Sequence, residues 1–487
     1  MRLDQLLTNL TIFETIGESK VVIQRIIFDS RKVEAGDCFV AVKGRQSDGH
    51  AFIGSALEKG ASAVVCEQLP PELPSEGATF VRLADSAEAL GQMAANFYGH
   101  PSQKLKLVGV TGTNGKTTTV TLLYQLFMAL GYKTGLLSTV ENRIGQRVYP
   151  AAYTTPDAVA LNELLAEMVD AGCAYAFMEV SSHAVDQGRI AGLHFSGGVF
   201  TNLTHDHLDY HGSFKAYLQA KKRFFDDLPK SSFALVNIDD KNGNVMIQNT
   251  AASKYRYSLR VLTDFKAKII ENSLSGLHLE LDRQEFFGRL IGEFNAYNLL
   301  AVYATARLLE ADSLEVLTQL SRLRSAEGRF DYIVDSKKSI IGIVDYAHTP
   351  DALLKVLTTI RQLRKGEEQI ITVVGCGGDR DKDKRPVMAR IACDNSTQFI
   401  LTSDNPRTEV PDTIIDDMEE GLSEDCRTKS LRITDRRQAI RTACRLARQG
   451  DIILVAGKGH EKYQEINGQR HPFDDKEELA KGLGLDG

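Results

Sequence analysis

The chain has 487 residues, 43% hydrophobic and 25% charged, with 58 Lys+Arg set against 64 Asp+Glu for a net charge of -6. Such a length exceeds one ordinary core and points to about three domains of about 150 residues each, while the lack of a basic tract argues against a nucleic-acid partner. No apolar run approaches the roughly 20 residues of a membrane span, and the N-terminus MRLDQLLTNLTIFETIGESK has acidic residues where a signal peptide needs a basic start, so a cytoplasmic protein without membrane insertion is expected.

Residues 1–100 mix short strand-like runs, VVIQRIIF, GDCFVAV, ASAVVC and TFVRL, with helical stretches. They end in SAEALGQMAANFYGHPSQ, a helix that Pro101 cannot continue. The second block, residues 101–331, opens with the strand KLKLVGVT and alternates TGLLS, AYAFMEVSS, GGVFTNL and FALVNI with helical segments, closing on NAYNLLAVYATARLLEA and a second helix. That alternation predicts a parallel sheet covered by helices. The third block, residues 332–487, repeats it with SIIGIVDY, QIITVVGC, TQFILT and DIILVAG, each followed at once by a polar loop: AHTPDAL, GGDRDKDK, SDNPRTE and KGHE. In an open parallel sheet such loops sit at the carboxyl ends of the strands, where ligands bind. The expected architecture is α/β in three domains, the central one a P-loop parallel sheet with helices and the last a doubly wound, Rossmann-like fold. Seven cysteines (Cys38, Cys66, Cys173, Cys376, Cys393, Cys426 and Cys444) form no C-x-x-C, so reduced, buried thiols are expected, with neither disulfide nor zinc organising the chain.

The strongest local signal is GVTGTNGKTTT, between a strand and the helix TVTLLYQLFMAL. Gly112 and Gly115 let backbone N–H groups curl around phosphate, Lys116 brings a cation to the outer phosphates, and the Thr117 hydroxyl suits Mg2+. Val110 stands where the usual pattern has its first glycine. Glu179, at the end of a strand in the same block, suits the Mg2+ that rides on nucleotide phosphates. Ser181, Gln187 and Arg189 follow it with side chains fit for an anionic, hydroxyl-rich substrate. The segment TNLTHDHLDYHG gathers His205, His207 and His211 with Asp206 and Asp209, but no cysteine accompanies them, and one histidine serving Mg2+ is the better reading than zinc. By charge alone, Lys221 and Lys222 of YLQAKKRFF read as solvated surface lysines.

With GTNGKTT, EVSSH, TNLTHDHLDYHG, FNAYNLLA, GRF, DYAHTPDAL, GGDRDKDKRP, DNPR and AGKGHE in this order, the chain resembles the Mur ligases, ATP-dependent amide-forming enzymes of peptidoglycan synthesis, over essentially its whole length. The resemblance implies that Gly112, Thr113, Asn114, Gly115, Lys116, Thr117 and Thr118 hold ATP phosphates, and that Asn295, Asn298, Arg329 and Asp345 also contact the nucleotide. It implies that Glu179 and His207 serve two Mg2+ ions and that Lys221 is carbamylated, which turns a cation into an anion able to ligate metal. Thr154, Thr155, Ser181, Gln187 and Arg189 match the muramoyl-peptide contacts, while Ser30, Arg45, Gln46 and Ser47 fall where residues 1–100 would hold the uridine diphosphate. Here GRQS replaces a more usual His-Gln-Ala, and Tyr153 stands where an Asn is common.

The implied reaction adds meso-2,6-diaminopimelate to UDP-N-acetylmuramoyl-L-alanyl-D-glutamate in a monomeric enzyme, with L-lysine as the alternative amino acid. A carboxylate is a poor acyl donor, so ATP must first convert it to an acyl phosphate that the amine attacks, with Lys116, His207 and metal neutralising charge. A hinge near residues 330–340 is expected to close the site against water. Diaminopimelate carries two carboxylates and two amines. Arg380 and Arg407 suit carboxylates, Asp404 and Glu461 suit ammonium groups, and Asn405, Pro406 and Gly457 complete the loops, Pro406 presetting the turn that aims Arg407. Lysine would not need the second arginine, and the long first block argues against folate polyglutamylation. An ATP-binding switch without ligase chemistry would lack Lys221, His207 or the four last loops, and all are present.

Overall fold

A computed structural model describes all residues except 45–46, 74–76, 152, 205–207, 336, 365 and 486–487. Its main strands form three sheets, drawn from residues 12–83, 106–288 and 331–456. In the first, Ile26–Ile27, Cys38–Val40, Ala63–Cys66 and Thr79–Leu83 run parallel, and Ile12–Ile16 adds an antiparallel edge. That edge strand is almost wholly exposed, so its sequence carries no burial pattern to betray it.

Lys106–Thr111 lies in the middle of the central sheet between Gly197–Phe200 and Tyr175–Glu179, all parallel. Its residues alternate between two cores: Leu107, with Ala176 and Met178, meets helices Ala158–Asp170 and Phe214–Asp226. Val108, Val110 and Phe177 meet helices Lys116–Ala129 and Glu293–Leu308 on the other face. Burial on both faces is why these strands read as continuous apolar runs.

The expected parallel sheet forms the body of a larger one, which has 11 strands with antiparallel additions at both edges. One edge is the hairpin Glu141–Ile144 and Arg147–Pro150; the other is the meander Phe265–Ser273, Gly276–Leu281 and Gln284–Gly288. The last turn of the meander uses Asp282 and Arg283 at φ 48 and 63, the left-handed pair a two-residue hairpin requires, without the usual Gly or Asn to signal it.

The third sheet runs in the order Asp331–Asp335, Ile340–Asp345, Ile452–Ala456, Ile370–Val374, Gln398–Leu401, Ser430–Arg432, parallel except at its first strand. Ile370, Val374, Ile452 and Leu454 face helices Pro350–Leu363 and Lys384–Asn395, while Ile371, Val373, Ile453 and Val455 face helices Arg436–Leu446 and Asp475–Leu483. Helices thus cover both faces. In register, Asp345 pairs Ala456, Val374 pairs Ala456, and Val374 pairs Leu401, so the four loop-bearing strands end in one row.

Asp331–Asp335 is hydrogen-bonded to Ile340–Asp345 within the third sheet, so most of the 330–340 segment belongs to that sheet. One further expectation changes. The cysteines are not all free thiols: Cys393 and Cys426 form a disulfide with Cα atoms 5.6 Å apart, while Cys38, Cys66, Cys173, Cys376 and Cys444 are free and buried. A separation of 33 residues hides this pair, which is made by packing helix Lys384–Asn395 against helix Glu424–Lys429. No helix of the described residues is long and apolar enough to cross a membrane.

Candidate active site

The phosphate loop turns from strand Lys106–Thr111 into helix Lys116–Ala129 with Gly112 at φ 148 and Gly115 at φ 88. A Cβ on Gly112 would stand 2.0 Å from Thr201 Oγ1, and one on Gly115 2.6 Å from Asn298 Oδ1, so both positions admit only glycine. Asn298 donates to Asn295 Oδ1 at 3.0 Å, and Asn295 donates to the Ile291 carbonyl at 2.8 Å. Of the two expected nucleotide asparagines, Asn298 therefore lies against the loop and Asn295 supports it from behind. Thr201 and Asn202 brace it from the next strand's end, both donating to the Asn114 carbonyl. Thr113 Oγ1 lies 3.1 Å from Tyr217 OH, and Thr117 and Thr118 are buried.

Lys116 Nζ donates to the carbonyls of Gly112 and Thr113, each at 2.9 Å. Lys221 Nζ donates to the same Gly112 carbonyl at 2.9 Å and sits 4.7 Å from the Tyr217 ring centre. The charge-only reading of Lys221 and Lys222 is overturned, since they are 1% and 4% exposed and Lys222 pairs Asp226 at 2.6 Å. Their helix, Phe214–Asp226, packs that face into the core, which residue type alone cannot reveal.

Glu179, 1% exposed at its strand end, accepts from Thr139 N at 2.7 Å and Thr139 Oγ1 at 3.0 Å. Thr139 Oγ1 also lies 3.2 Å from Thr154 Oγ1, and Thr155 Oγ1 donates to the Glu179 carbonyl at 2.8 Å and lies 3.4 Å from Ser181 Oγ. Arg189 donates to the Thr155 carbonyl at 2.7 Å and to Gln187 Oε1, stacks over Tyr153, and is held below its usual pKa by burial. Gln187 donates to Tyr210 OH at 3.0 Å. Thr154, Thr155, Ser181, Gln187 and Arg189 thus form one cluster next to the Glu179 carboxylate. His211 is hydrogen-bonded to Ser182 at 2.9 Å, whereas His205, Asp206 and His207 lie outside the described residues. Ser30 and Ser47 belong to the first sheet's body, where the Ser30 carbonyl accepts from Lys59 and the Ser47 carbonyl from Gly44; Arg45 and Gln46 lie outside the described residues.

On the third sheet's side, Arg329 stacks 4.5 Å over the Tyr346 ring with a buried Nε that has no hydrogen-bond partner among the described residues. Asp345 accepts from Phe330 N at 2.6 Å. Burial pushes the Asp345 carboxyl up to about 6, against the pull of Arg329. Asp351, on the following helix, accepts from Asn114 of the phosphate loop at 3.1 Å, from Thr204 at 3.0 Å and from Lys355 at 2.8 Å. It joins the third body to the phosphate loop.

The remaining loops meet around Gly377. A Cβ there would lie 2.9 Å from Arg407 Nη1 and 3.8 Å from Arg380 Cγ, so the Arg407 guanidinium and the stem of Arg380 both adjoin Gly377. Arg380 is exposed, and Arg407 Nη1 donates to the Gly378 carbonyl at 2.7 Å. Arg407 adopts φ 51, held there by Arg407 N donating to the Glu465 carbonyl at 3.0 Å and Asn467 N donating to the Arg407 carbonyl at 2.7 Å. The hairpin Tyr463–Ile466 and Gln469–Pro472 therefore clamps the turn that Pro406 begins. Asp404 Oδ2 lies 2.4 Å from where a Cβ on Gly457 would be, so only glycine fits beside it. Asn405 donates to Glu461 Oε2 at 2.7 Å, and burial pushes the Glu461 carboxyl up, with Asp404 adding to the shift.

Comparison with known proteins matches three family models in order: Mur ligase family, catalytic domain, over residues 22–98; Mur ligase middle domain over 110–306; and Mur ligase, glutamate ligase domain, over 328–459. The chain belongs to the Mur ligase family. A relative from Cytophaga hutchinsonii, named UDP-N-acetylmuramoyl-L-alanyl-D-glutamate--2,6-diaminopimelate ligase, is 58% identical over 487 residues, 99% of this chain and 100% of its own. A Bacteroides fragilis relative of the same name is 54% identical over the whole of both chains. A solved structure under that name is 34% identical with a TM-score of 0.70, covering 100% of this chain and 99% of its own. A Thermotoga maritima MurF ligase solved with ADP shares the fold at 18% identity and a TM-score of 0.61, over 96% of this chain and 98% of its own.

Within this Mur ligase, sequence reasoning passed over Thr139, Tyr217, Asp351 and Lys458. Thr139 and Asp351 act through contacts 40 and 237 residues away, which no local pattern signals. Lys458 stood inside the quoted KGHE loop, and only its complete burial marks it out.

Proposed function

We infer that the chain is an ATP-dependent ligase that adds meso-2,6-diaminopimelate to UDP-N-acetylmuramoyl-L-alanyl-D-glutamate, in cytoplasmic assembly of the peptidoglycan precursor. The observation that carries the choice of amino acid is the pair Arg380 and Arg407 beside Gly377, with the carboxylates Asp404 and Glu461 next to them. Two guanidinium groups suit the two carboxylates of diaminopimelate, whereas lysine has one. The relatives' names point the same way.

The residues divide the work by chemistry. Backbone N–H groups of Gly112 to Thr118 cradle the ATP phosphates and Lys116 neutralises the outer ones. Asn295, Asn298, Arg329 and Asp345 hold the nucleoside side, where the buried Arg329 Nε, without a hydrogen-bond partner among the described residues, suits an acceptor on the ligand. Thr154, Thr155, Ser181, Gln187 and Arg189 orient the muramoyl peptide, while Ser30, Ser47 and their neighbours take its nucleotide. The D-glutamyl carboxylate oxygen attacks the γ-phosphorus, the bond to the β-bridging oxygen breaks, and ADP leaves. The free amine then adds to the acyl carbon, and inorganic phosphate departs as the amide forms. Asp351 bridging to Asn114 brings the third body against the phosphate loop, which excludes water from the acyl phosphate.

The donor set fits Mg2+: Thr117 and Glu179 offer hard oxygen ligands, with His207 the further candidate. Bound Mg2+ would neutralise phosphate charge there. Lys221 as an ammonium cannot ligate a cation, yet it shares the Gly112 carbonyl with a second ammonium, Lys116. Carbamylation replaces that like-charge contact by an attractive one, which supports the carbamate at Lys221.

The test is ADP release by the purified chain with UDP-muramoyl dipeptide, ATP and Mg2+, run in parallel with meso-diaminopimelate and L-lysine. Turnover with diaminopimelate and little with lysine is expected; preference for lysine overturns the specificity.

A further inference from the structure

Lys458 follows strand Ile452–Ala456, and its side chain is 0% exposed. Its Nζ donates to Asn405 Oδ1 at 2.8 Å, and lies 3.4 Å from Glu461 Oε2 and 3.7 Å from Asp404 Oδ1. The Tyr463 ring centre is 5.5 Å away. Asn405 is thereby fixed at both ends of its amide, accepting from Lys458 Nζ and Glu465 N and donating to Glu461. A lysine so buried cannot reach a ligand in solution; what it touches are three residues that bear on the amino-acid site.

We propose that Lys458 is a positioning residue of that site: its ammonium holds Asn405, Asp404 and Glu461 together and leaves one net negative charge for one substrate ammonium. The inference rests on the reading that Asp404 and Glu461 face the incoming amino acid. Two carboxylates without Lys458 would repel each other in a poorly hydrated site, and one would take up a proton. The groups that face Glu461 are Asp404, Lys458, Tyr346, Tyr463 and, by charge, the buried Arg436. Neighbouring His460 is held down to about 3, first by burial and then by Arg329 and Lys458, so it stays neutral and does not titrate in the working range. Burial and Asp404 push Glu461 up and Lys458 pulls it down. Removing the lysine charge therefore moves the loss of activity on the acid side to higher pH.

The experiment compares the full-length wild type, Lys458→Met, Lys458→Arg and Glu461→Gln by steady-state kinetics in diaminopimelate and in ATP across pH. Lys458→Met should raise KM for diaminopimelate about tenfold or more with KM for ATP within about twofold, and move the acid limb of kcat/KM up by about one pH unit. Lys458→Arg should recover part of the affinity and leave the acid limb near its wild-type position. In the Glu461→Gln background, Lys458→Met should cost less than in the wild type, because the charge it balances is gone. Equal increases in both KM values, or an unmoved acid limb, overturn the proposal. If Lys458→Met does not fold, Lys458→Arg decides: a selective rise in KM for diaminopimelate supports the role, and a uniform change overturns it. Should Glu461→Gln alone leave KM for diaminopimelate unchanged, the assignment of the site fails, independently of Lys458.

Discussion

The phosphate loop and the Asp404–Arg407 turn, the two places where we infer that a charged ligand is held, are built in opposite ways. The loop is made by consecutive residues: glycines that permit the turn, a helix start that aims N–H groups, and a lysine on the first helical residue. The Asp404–Arg407 turn is held from outside, by Lys458 beneath it, the Glu465 backbone beside it and the Gly378 carbonyl in front of Arg407. A site made by contiguous residues announces itself in sequence; one made by convergence depends on the sheet that brings its parts together.

Substitutions can break this contrast. The largest effect is expected from Lys221→Ala, with kcat lowered about a thousandfold or more, as for loss of a charge-stabilising group, and partly restored by acetate added to the assay. A variant that keeps wild-type turnover would remove Lys221 from the chemistry. Next is Arg407→Ala, where KM for diaminopimelate should rise about a hundredfold, as for loss of a bidentate carboxylate partner, with KM for ATP unchanged. Unaltered diaminopimelate kinetics would separate the turn from specificity.

A smaller effect should come from pH. The Asp345 carboxyl sits at about 6, so it gains a proton as pH falls through that value and no longer offsets Arg329. The kcat/KM for ATP should then drop on the acid side, and Asp345→Asn should flatten that limb at a level about tenfold lower. A limb that survives in Asp345→Asn belongs to another group. The smallest is Thr139→Val, which removes one of the two hydrogen bonds to Glu179 and should raise the Mg2+ concentration for half-maximal rate about threefold. Titration of activity with Mg2+ reads it directly, and an unchanged requirement would make the Thr139 contact merely structural.

The buried parallel strands were legible because burial on both faces leaves an uninterrupted apolar run, and the phosphate loop because its geometry needs glycine at fixed spacing. The antiparallel edges were not, since Phe265–Ser273 and Gln284–Gly288 are largely exposed and the last turn of the meander uses Asp282 and Arg283. Nor was the Cys393–Cys426 bond, whose partners share no motif. In the candidate site, Glu179 and Arg407 stood at recognisable strand ends, whereas Thr139 and Asp351 are defined only by the groups they reach.

By itself, the sequence determined the three α/β bodies, the nucleotide-binding loop, and the order of motifs that marks a Mur ligase. These depend on periodicity and on residues close in the chain. Tertiary structure decided which lysines are buried: Lys221 and Lys222, solvated by charge alone, lie inside, as does Lys458. Tertiary structure also decided which distant loops meet, because the third sheet's parallel register ends four strands in one row. Burial and convergence are properties of packing between segments, and no single segment carries them.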